Sequence, residues 1–434
     1  MRAQADTAAS PVYIVDGART PFLKAKGVGS FSASDLAVQA GQALLKRLPI
    51  DPKSIDEVIV GAAMPGPDEA NIARIIAMRL GCGDKVPGFT VMRNCASGMQ
   101  SIDAAAQNIA SGRSHLVLAG GTEAMSRAPI LFDLPMARWL AQWMTAKGFA
   151  QKVQTIAKFR PHFLAPVFGL MKGLSDPLIG MNMGQTAEEL AFQFHIDRLS
   201  MDAFSAQSHL RLADAYAKEL MSEVTPIIDS QGRMYSQDTG LRADANLESL
   251  GKLKPIFDKK YGQVTPGNSS QVSDGACMLL LASEEACKKY QLPILGKVVD
   301  CQWSALEPVH MGLGPVHAIT SLLERQKLSF DDIDVVEINE AFAAQVLACL
   351  AAWEDDDYCR NKLGLKHNLG RLDPAKLNIH GGAIAAGHPV GASGSRVVLH
   401  TLQIMKQQKS KRGVASLCIG GGQGGAMYLE AVEK

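Results

Sequence analysis

None of the eight cysteines falls in a CxxC pair, which argues against a zinc ribbon or a thioredoxin-like redox site. No uninterrupted apolar run reaches membrane-spanning length. Net charge is only +1 over 434 residues, so the chain is not a general nucleic-acid binder. The opening MRAQADTAAS lacks the apolar core of a secretory signal. Scattered thiols in such a chain predict a reducing, cytoplasmic compartment, with most cysteines acting as small buried hydrophobes. From Leu134 to Ser175 there is no Asp or Glu, although Lys and Arg recur. What is present is ordinary globular material. The chain is 47% hydrophobic and 20% charged, enough for a large core in two or three structural units.

Short β-rich runs alternate with helical ones. VYIVDGART, IDEVIVGAAMP and HLVLAGGTEAMS read as strands; DLAVQAGQALLKRL and NIARIIAMRLG read as helices. This alternation predicts a layered α/β domain with a mainly parallel sheet. The C-terminal part repeats the order. IDVVEINEAF echoes IDEVIVGAAM, the loop holding His388 echoes the loop holding Cys95, and GVASLCIGGGQGGAMYLE echoes HLVLAGGTEAM. Two copies of one α/β unit about a pseudo-twofold axis are expected. The boundaries predicted are 1–127 for the first half, 128–267 for a different inserted segment, 268–293 for a return to the first half, and 294–434 for the second. The insertion opens with a basic, aromatic stretch in which Trp139 and Trp143 share a helix face. It reads either as a buried helical cap or as a basic amphipathic surface for a membrane, an acyl chain or a partner subunit.

Four positions invite chemistry. Cys95 in RNCASGMQS precedes a helix, whose dipole favours thiolate and whose free N–H groups suit an oxyanion; the alternative is a buried structural thiol. His388 lies in the glycine-dense AAGHPVGASG, with Ser393 as the candidate N-cap of the next helix. Glycine there allows close backbone approach or clears room for a ligand. Cys418 ends a strand in SLCIGGGQGGAM, where glycine corners also serve helix–sheet packing. Asn339, ending a strand in EINEAF, is by itself an ordinary cap. Together the four sit at or beyond the C-terminal ends of predicted strands, the edge where α/β sheets build sites. A thiol nucleophile needs a base, and His is the natural one. The set suits acyl transfer through a thioester.

NCASGMQS, NEAFAAQ, GGAIAAGHPVGASG and CIGGGQGGAM resemble the four signature blocks of the thiolase family, in the same order and over nearly the whole chain. The resemblance implies an α/β thiolase fold: two similar βαβαβαββ halves in a five-layered α-β-α-β-α core with an inserted loop domain. It implies acyl transfer between 3-ketoacyl-CoA and CoA, with CoA as co-substrate, no permanently bound cofactor and no metal. By position, Cys95 matches the acylated nucleophile, His388 its base and Cys418 the second acid/base. Asn339 and His388 match a first oxyanion hole, and the backbone N–H groups of Cys95 and Gly420 a second. Met183, Ser270, Met311 and Phe342 match CoA and acyl-chain contacts. A homodimer or homotetramer is implied.

Two features depart from the plainest members. His380 stands where Asn is often found, as a supporting side chain. The charged stretch LACLAAWEDDDYCRNKLGLKHNLGRLDPAKLN resembles insertions in thiolases that pair with a hydratase–dehydrogenase subunit of β-oxidation complexes, though those often carry His at the Asn339 position. The expectation is therefore a 3-ketoacyl-CoA thiolase of fatty-acid β-oxidation, with a short-chain acetoacetyl-CoA thiolase as runner-up. A decarboxylating ketoacyl synthase is disfavoured by Cys418, and a dead acyl-CoA-binding scaffold by retention of all four residues.

Overall fold

The computed structural model describes residues 10–432; the stretch read for a secretory signal lies, except for Ser10, outside the described residues. The first half runs β1 (Val12–Arg19), α1 (Ala33–Leu45), β2 (Glu57–Gly61), α2 (Ile72–Arg79), β3 (Gly88–Val91), α3 (Ser97–Ala110) and β4 (Leu116–Ala124). The chain then leaves the sheet through α4 (Leu134–Thr145), α5 (Phe149–Ala157), α6 (Met183–Gln193) and α7 (Arg198–Ala217), and returns as β5 (Ser273–Ser283). The second half is β6 (Gly296–Ala305), α8 (Gly314–Gln326), β7 (Val335–Ile338), α9 (Ala343–Glu354), α10 (Val390–Gln408), β8 (Arg412–Ile419) and β9 (Gln423–Glu430).

These nine strands and the short Leu23–Lys24 strand form one ten-stranded sheet, in the order β7-β8-β9-β6-β1-β5-β4-β2-β3, with Leu23–Lys24 paired to β5. β1 and β6 pair antiparallel at its centre. Outward from them the two sides match. β5 and β9 pair antiparallel with the central strands, β4 and β8 antiparallel with those, and β2 and β7 parallel with the next. Both central strands even carry a register shift, between Ile14 and Asp16 and between Val298 and Asp300. The three sequence echoes fall on equivalent elements. The counterpart of β3 is vestigial: Leu377 makes one parallel bridge to Val336.

The sheet is not mainly parallel, as alternation had suggested. Three pairings are parallel and six antiparallel. β8 and β9 are joined only by the Gly420–Gly422 turn, and so tight a link permits only antiparallel pairing. Between β4 and β5 the long insertion lets the chain return in either direction.

Strand alternation sorts side chains into layers. Val58 and Val60 face a core under α1 and α2, whereas Ile59 faces the core around α3 and α10. Val336 and Val414 join a third core beneath α8 and α9, whereas Val335 and Ala415 face the centre. Five layers result. α10 is buried throughout from Val390 to Met405, so its polar side chains require partners. Arg396 meets Glu337 at 2.9 Å, and His400 Nδ1 meets Glu223 at 2.7 Å.

Two local expectations change, and the charged stretch after Leu347 gains a structural role. α10 begins at Val390 with Pro389 as N-cap, so Ser393 is inside the first turn and is not the cap. The glycines near His388 serve packing, not ligand space. A Cβ on Gly394 would lie 2.5 Å from Met99 N, and one on Gly391 would lie 2.4 Å from Thr122 O. The charged stretch after Leu347 is partly core, since Cys359 and Leu372 are buried and Tyr358 Oη meets His317 Nε2 at 2.9 Å.

Candidate active site

β3 stops at Val91 and α3 starts at Ser97; the link between them must turn sharply. Asn94 takes it through the left-handed region, φ +44°, which Asn tolerates better than most residues. Ser97 Oγ donates to Asn94 O at 2.7 Å and accepts the Arg93 N–H at 2.9 Å, fixing the turn. Asn94 Nδ2 donates to Gly420 O at 2.9 Å. Cys95 is half-buried as a residue, and the backbone N–H groups of Gly420 and of Cys95 itself act on its thiol. The two N–H groups expected as an oxyanion hole thus converge on the expected nucleophile.

Those N–H groups favour thiolate, but burial outweighs them and the nearby Glu123 adds to it, so the Cys95 thiol is pushed up. The dipole expectation therefore fails at rest: Cys95 needs a base. His388 is buried, with its N–H bonded to Gln271 O at 3.1 Å. Its Nδ1 lies 2.6 Å from Ser393 Oγ, and that hydroxyl donates to Pro389 O at 3.0 Å. A hydroxyl has one hydrogen. With it on Pro389, the network assigns the imidazole hydrogen to Nδ1 and leaves Nε2 bare. Burial, then the Arg396 charge, lower the imidazole to about 4. His388 is neutral, as a general base must be.

Asn339 follows β7 directly, its N–H donating to Ser416 O at 2.9 Å. Its Oδ1 accepts from Arg396 Nη2 at 3.1 Å, while its buried Nδ2 has no protein partner. Cys418 is buried near the end of β8; burial, and next the proximity of Cys95, push its thiol well up. Each thiol therefore resists ionisation while the other is charged.

The expected CoA and acyl contacts gather nearby. A Cβ on Gly420 would stand 3.3 Å from Met183 Sδ. Met183, Met311, Phe342 and Cys418 share one hydrophobic cluster. The Ser270 N–H donates to Ala341 O at 2.9 Å, and Ser269 bridges Phe342, whose ring meets Phe257 at 5.9 Å. His380 lies deeper, its ring 5.3 Å from that of His400. Burial and the His400 charge lower it to about 4. Among the described residues no group of three or more His, Cys, Asp or Glu is placed to hold a metal.

Sequence reasoning missed Glu123 and Arg396. The Glu123 carboxylate accepts the N–H groups of Ala63 (2.9 Å), Met64 (3.0 Å) and Gly391 (3.0 Å). It ties the end of β2 to the start of α10, and burial raises it to about 7. The signal was there, a carboxylate inside the apolar strand HLVLAGGTEAM, because a buried charge implies a specific partner.

Residues 12–285 match the N-terminal domain of thiolase and residues 292–431 its C-terminal domain. The chain belongs to the thiolase family. Thiolases are acyltransferases with CoA as co-substrate. This thiolase is 39% identical over 429 residues to the β-ketoadipyl-CoA thiolase of Acinetobacter baylyi, covering 97% of this chain and 99% of that one. It is 35% identical over 425 residues to the mitochondrial trifunctional enzyme subunit beta of Bos taurus, covering 98% and 89%. The structure of human mitochondrial 3-ketoacyl-CoA thiolase in complex with CoA superposes with a TM-score of 0.83 at 34% identity, covering 98% of each chain.

Proposed function

We propose that this thiolase cleaves 3-ketoacyl-CoA with an alkyl acyl chain, in fatty-acid β-oxidation. The observation that carries the chemistry is the Cys95 thiol acted on by two backbone N–H groups, with the Cys418 thiol close enough to feel its charge; the buried, neutral His388 is assigned as the base. His388 Nε2 takes the Cys95 proton, and the thiolate attacks the 3-keto carbon. The Cα–Cβ bond breaks to give acyl-Cys95, and the acetyl-CoA enolate takes a proton from Cys418. The Cys418 thiolate then takes the proton of free CoA, whose sulfur attacks the thioester. Cys95 leaves as thiolate and regains its proton from His388. The reverse sequence is a Claisen condensation. Asn339 Nδ2, through a water that it holds, and His388 serve the enolate oxygen; the N–H groups of Cys95 and Gly420 serve the tetrahedral oxyanion.

The acyl preference follows from charge when the acyl tail is assigned to the cavity next to the Phe257–Phe342 ring pair. A cavity of about 580 Å³ beside Phe257 carries Glu188, Glu189 and Asp258 against the single cation Lys259. A dicarboxylic acyl tail would meet like charge there. CoA-dependent cleavage of a 3-ketoacyl-CoA series from acetoacetyl to 3-ketohexadecanoyl, with 3-ketoadipyl-CoA beside it, tests the reading. Preference for chains of medium or greater length supports it; preference for acetoacetyl-CoA or 3-ketoadipyl-CoA overturns it.

The assembly belongs to the same proposal. β3 is one edge of the sheet, with Phe89 within it and Met92 just after it exposed, an arrangement suited to pairing with a second copy; a solution mass of at least twice 46.4 kDa is expected. The α4–α5 hairpin is not a buried cap. Trp139 stacks on Trp143 at 6.0 Å and donates to Thr155 O, forming a small aromatic core within the hairpin itself. Outside it Ile130, Phe132, Met144, Phe149 and Ile156 are exposed, Phe149 at 85%. With Lys and Arg as the only acid–base charges apart from His162 between Leu134 and Ser175, this face suits an anionic lipid surface. No helix among the described residues is long and apolar enough to cross a membrane.

A further inference from the structure

Asn339 has a carboxamide with two faces, and only one is useful to an enolate or to a water held for it. A carboxamide can usually rotate by half a turn at little cost, exchanging its oxygen and nitrogen. Here it cannot. The guanidinium of Arg396 stands 3.1 Å from one end of the amide, and a guanidinium only donates. The oxygen must face Arg396, so the NH₂ faces the other way, where it is buried without a protein partner. Turning the amide over would set donor against donor and lose a hydrogen bond to a charged group. Arg396 is itself held. Its Nη1 donates to Glu337 at 2.9 Å, with both side chains buried. Glu337 is two residues before Asn339 on β7, and Arg396 is eight residues after His388. One guanidinium thus connects the strand that leads into the amide with the helix that follows the base.

We propose that Arg396 is a positioning residue for carbon–carbon bond cleavage and formation: it holds the Asn339 carboxamide with its NH₂ toward the enolate oxygen, and Glu337 anchors it. The assignment rests on the acyl-transfer reading of the site. It makes a demand that a purely structural role does not. The two half-reactions use different donors. Acylation of Cys95 by acetyl-CoA, followed by return to CoA, needs the N–H groups of Cys95 and Gly420. Cleavage of the Cα–Cβ bond, and exchange of the acetyl-CoA α-hydrogens with solvent, also need the enolate donors. Loss of Arg396 should therefore divide the two.

The experiment compares Arg396→Gln, Arg396→Lys, Asn339→Ala and the double variant Arg396→Gln/Asn339→Ala with the wild type, each as the intact assembly. Exchange of labelled CoA with acetyl-CoA reports the first half-reaction. Cleavage of a 3-ketoacyl-CoA that the wild type accepts, and deuterium uptake into acetyl-CoA, report the second. In Arg396→Gln, CoA exchange should stay within about threefold, while cleavage and deuterium uptake fall by about 10², the usual effect of losing one oxyanion donor. Arg396→Lys should recover part of the loss, because an ammonium still donates to the amide oxygen. The double variant should be no slower than Asn339→Ala, since the two residues act as one unit. Removing one partner of a buried ion pair can prevent folding. The charge-free pair Arg396→Met/Glu337→Leu then carries the same comparison. Equal losses in exchange and cleavage in a folded variant would overturn the assignment, as would a full further loss on the Asn339→Ala background. A wild type active in neither half-reaction would remove the acyl-transfer reading, and this assignment with it.

Discussion

Asn94 and Gly420 are far apart in sequence and joined at the site: Asn94 Nδ2 donates to Gly420 O at 2.9 Å. The bond spans the two halves. It holds the glycine turn so that the Gly420 N–H reaches the Cys95 sulfur. Asn94→Gly keeps the left-handed backbone and removes the bond. A neutral hydrogen bond contributes about 0.5–1.5 kcal/mol, so Cys95 acylation should slow by about threefold to tenfold with the melting temperature little changed. Asn94→Ala should do worse on both counts, because Ala strains φ +44°. Rapid-quench measurement of acyl-enzyme formation checks this; an Asn94→Gly protein that acylates at the wild-type rate would show the bond to be incidental.

The two thiols should fail differently. Cys95→Ser should form no acyl-enzyme, since a serine hydroxyl cannot be ionised by a base as weak as His388. Cys418→Ser should still acylate but turn over slowly, because the enolate and CoA lose their proton partner. Mass spectrometry of the acylated protein separates the two. Wild-type labelling of Cys95→Ser would remove Cys95 as the nucleophile, and normal turnover in Cys418→Ser would remove Cys418 from the proton transfers.

The acid limb of activity should lie low. His388 is held down to about 4 by burial and by Arg396, so it stays unprotonated as pH falls through 6.5, the ordinary value for His. Between pH 7 and 5 the base does not titrate, and kcat/KM should not show a loss centred near 6.5. The fall belongs nearer pH 4. A pH profile with an inflection near 6.5 that vanishes in a His388 variant would mean that the imidazole is solvated.

The hairpin should bind anionic bilayers. Sedimentation with vesicles of phosphatidylcholine containing 30% phosphatidylserine should bring the protein down at low salt, and pure phosphatidylcholine should not. Each basic residue near such a surface contributes about 1 kcal/mol. Reversing Lys147, Lys152 and Lys158 to Glu should therefore weaken binding by at least about 10², with cleavage in solution unchanged. No binding to anionic vesicles, together with capture of a purified hydratase–dehydrogenase subunit, would assign the face to that partner.

Much of the site was readable before the fold. Cys95, Asn339, His388 and Cys418 were legible as candidates because each lies at or beyond the end of a predicted strand and within one of four local sequence blocks that resemble the family's signatures. Strand positions were legible because buried strands are short β-rich apolar runs set between helical ones. The mostly antiparallel sheet was not, because alternation of strands and helices does not report the direction in which a chain returns after a long insertion. The first turn of α10 was misread because Ser393, a good cap by composition, bonds to His388 and Pro389 instead.

By itself the sequence determined which groups are proposed for the chemistry, that the chain has two similar halves, and that a basic aromatic segment interrupts them; these are properties of neighbouring residues. Only the tertiary structure decided their state. Burial, which depends on residues distant in the chain, keeps Cys95 a thiol against the pull of the helix dipole and keeps His388 neutral. An arginine inside the buried span of a helix fixes the face that Asn339 presents, and no local pattern announces it.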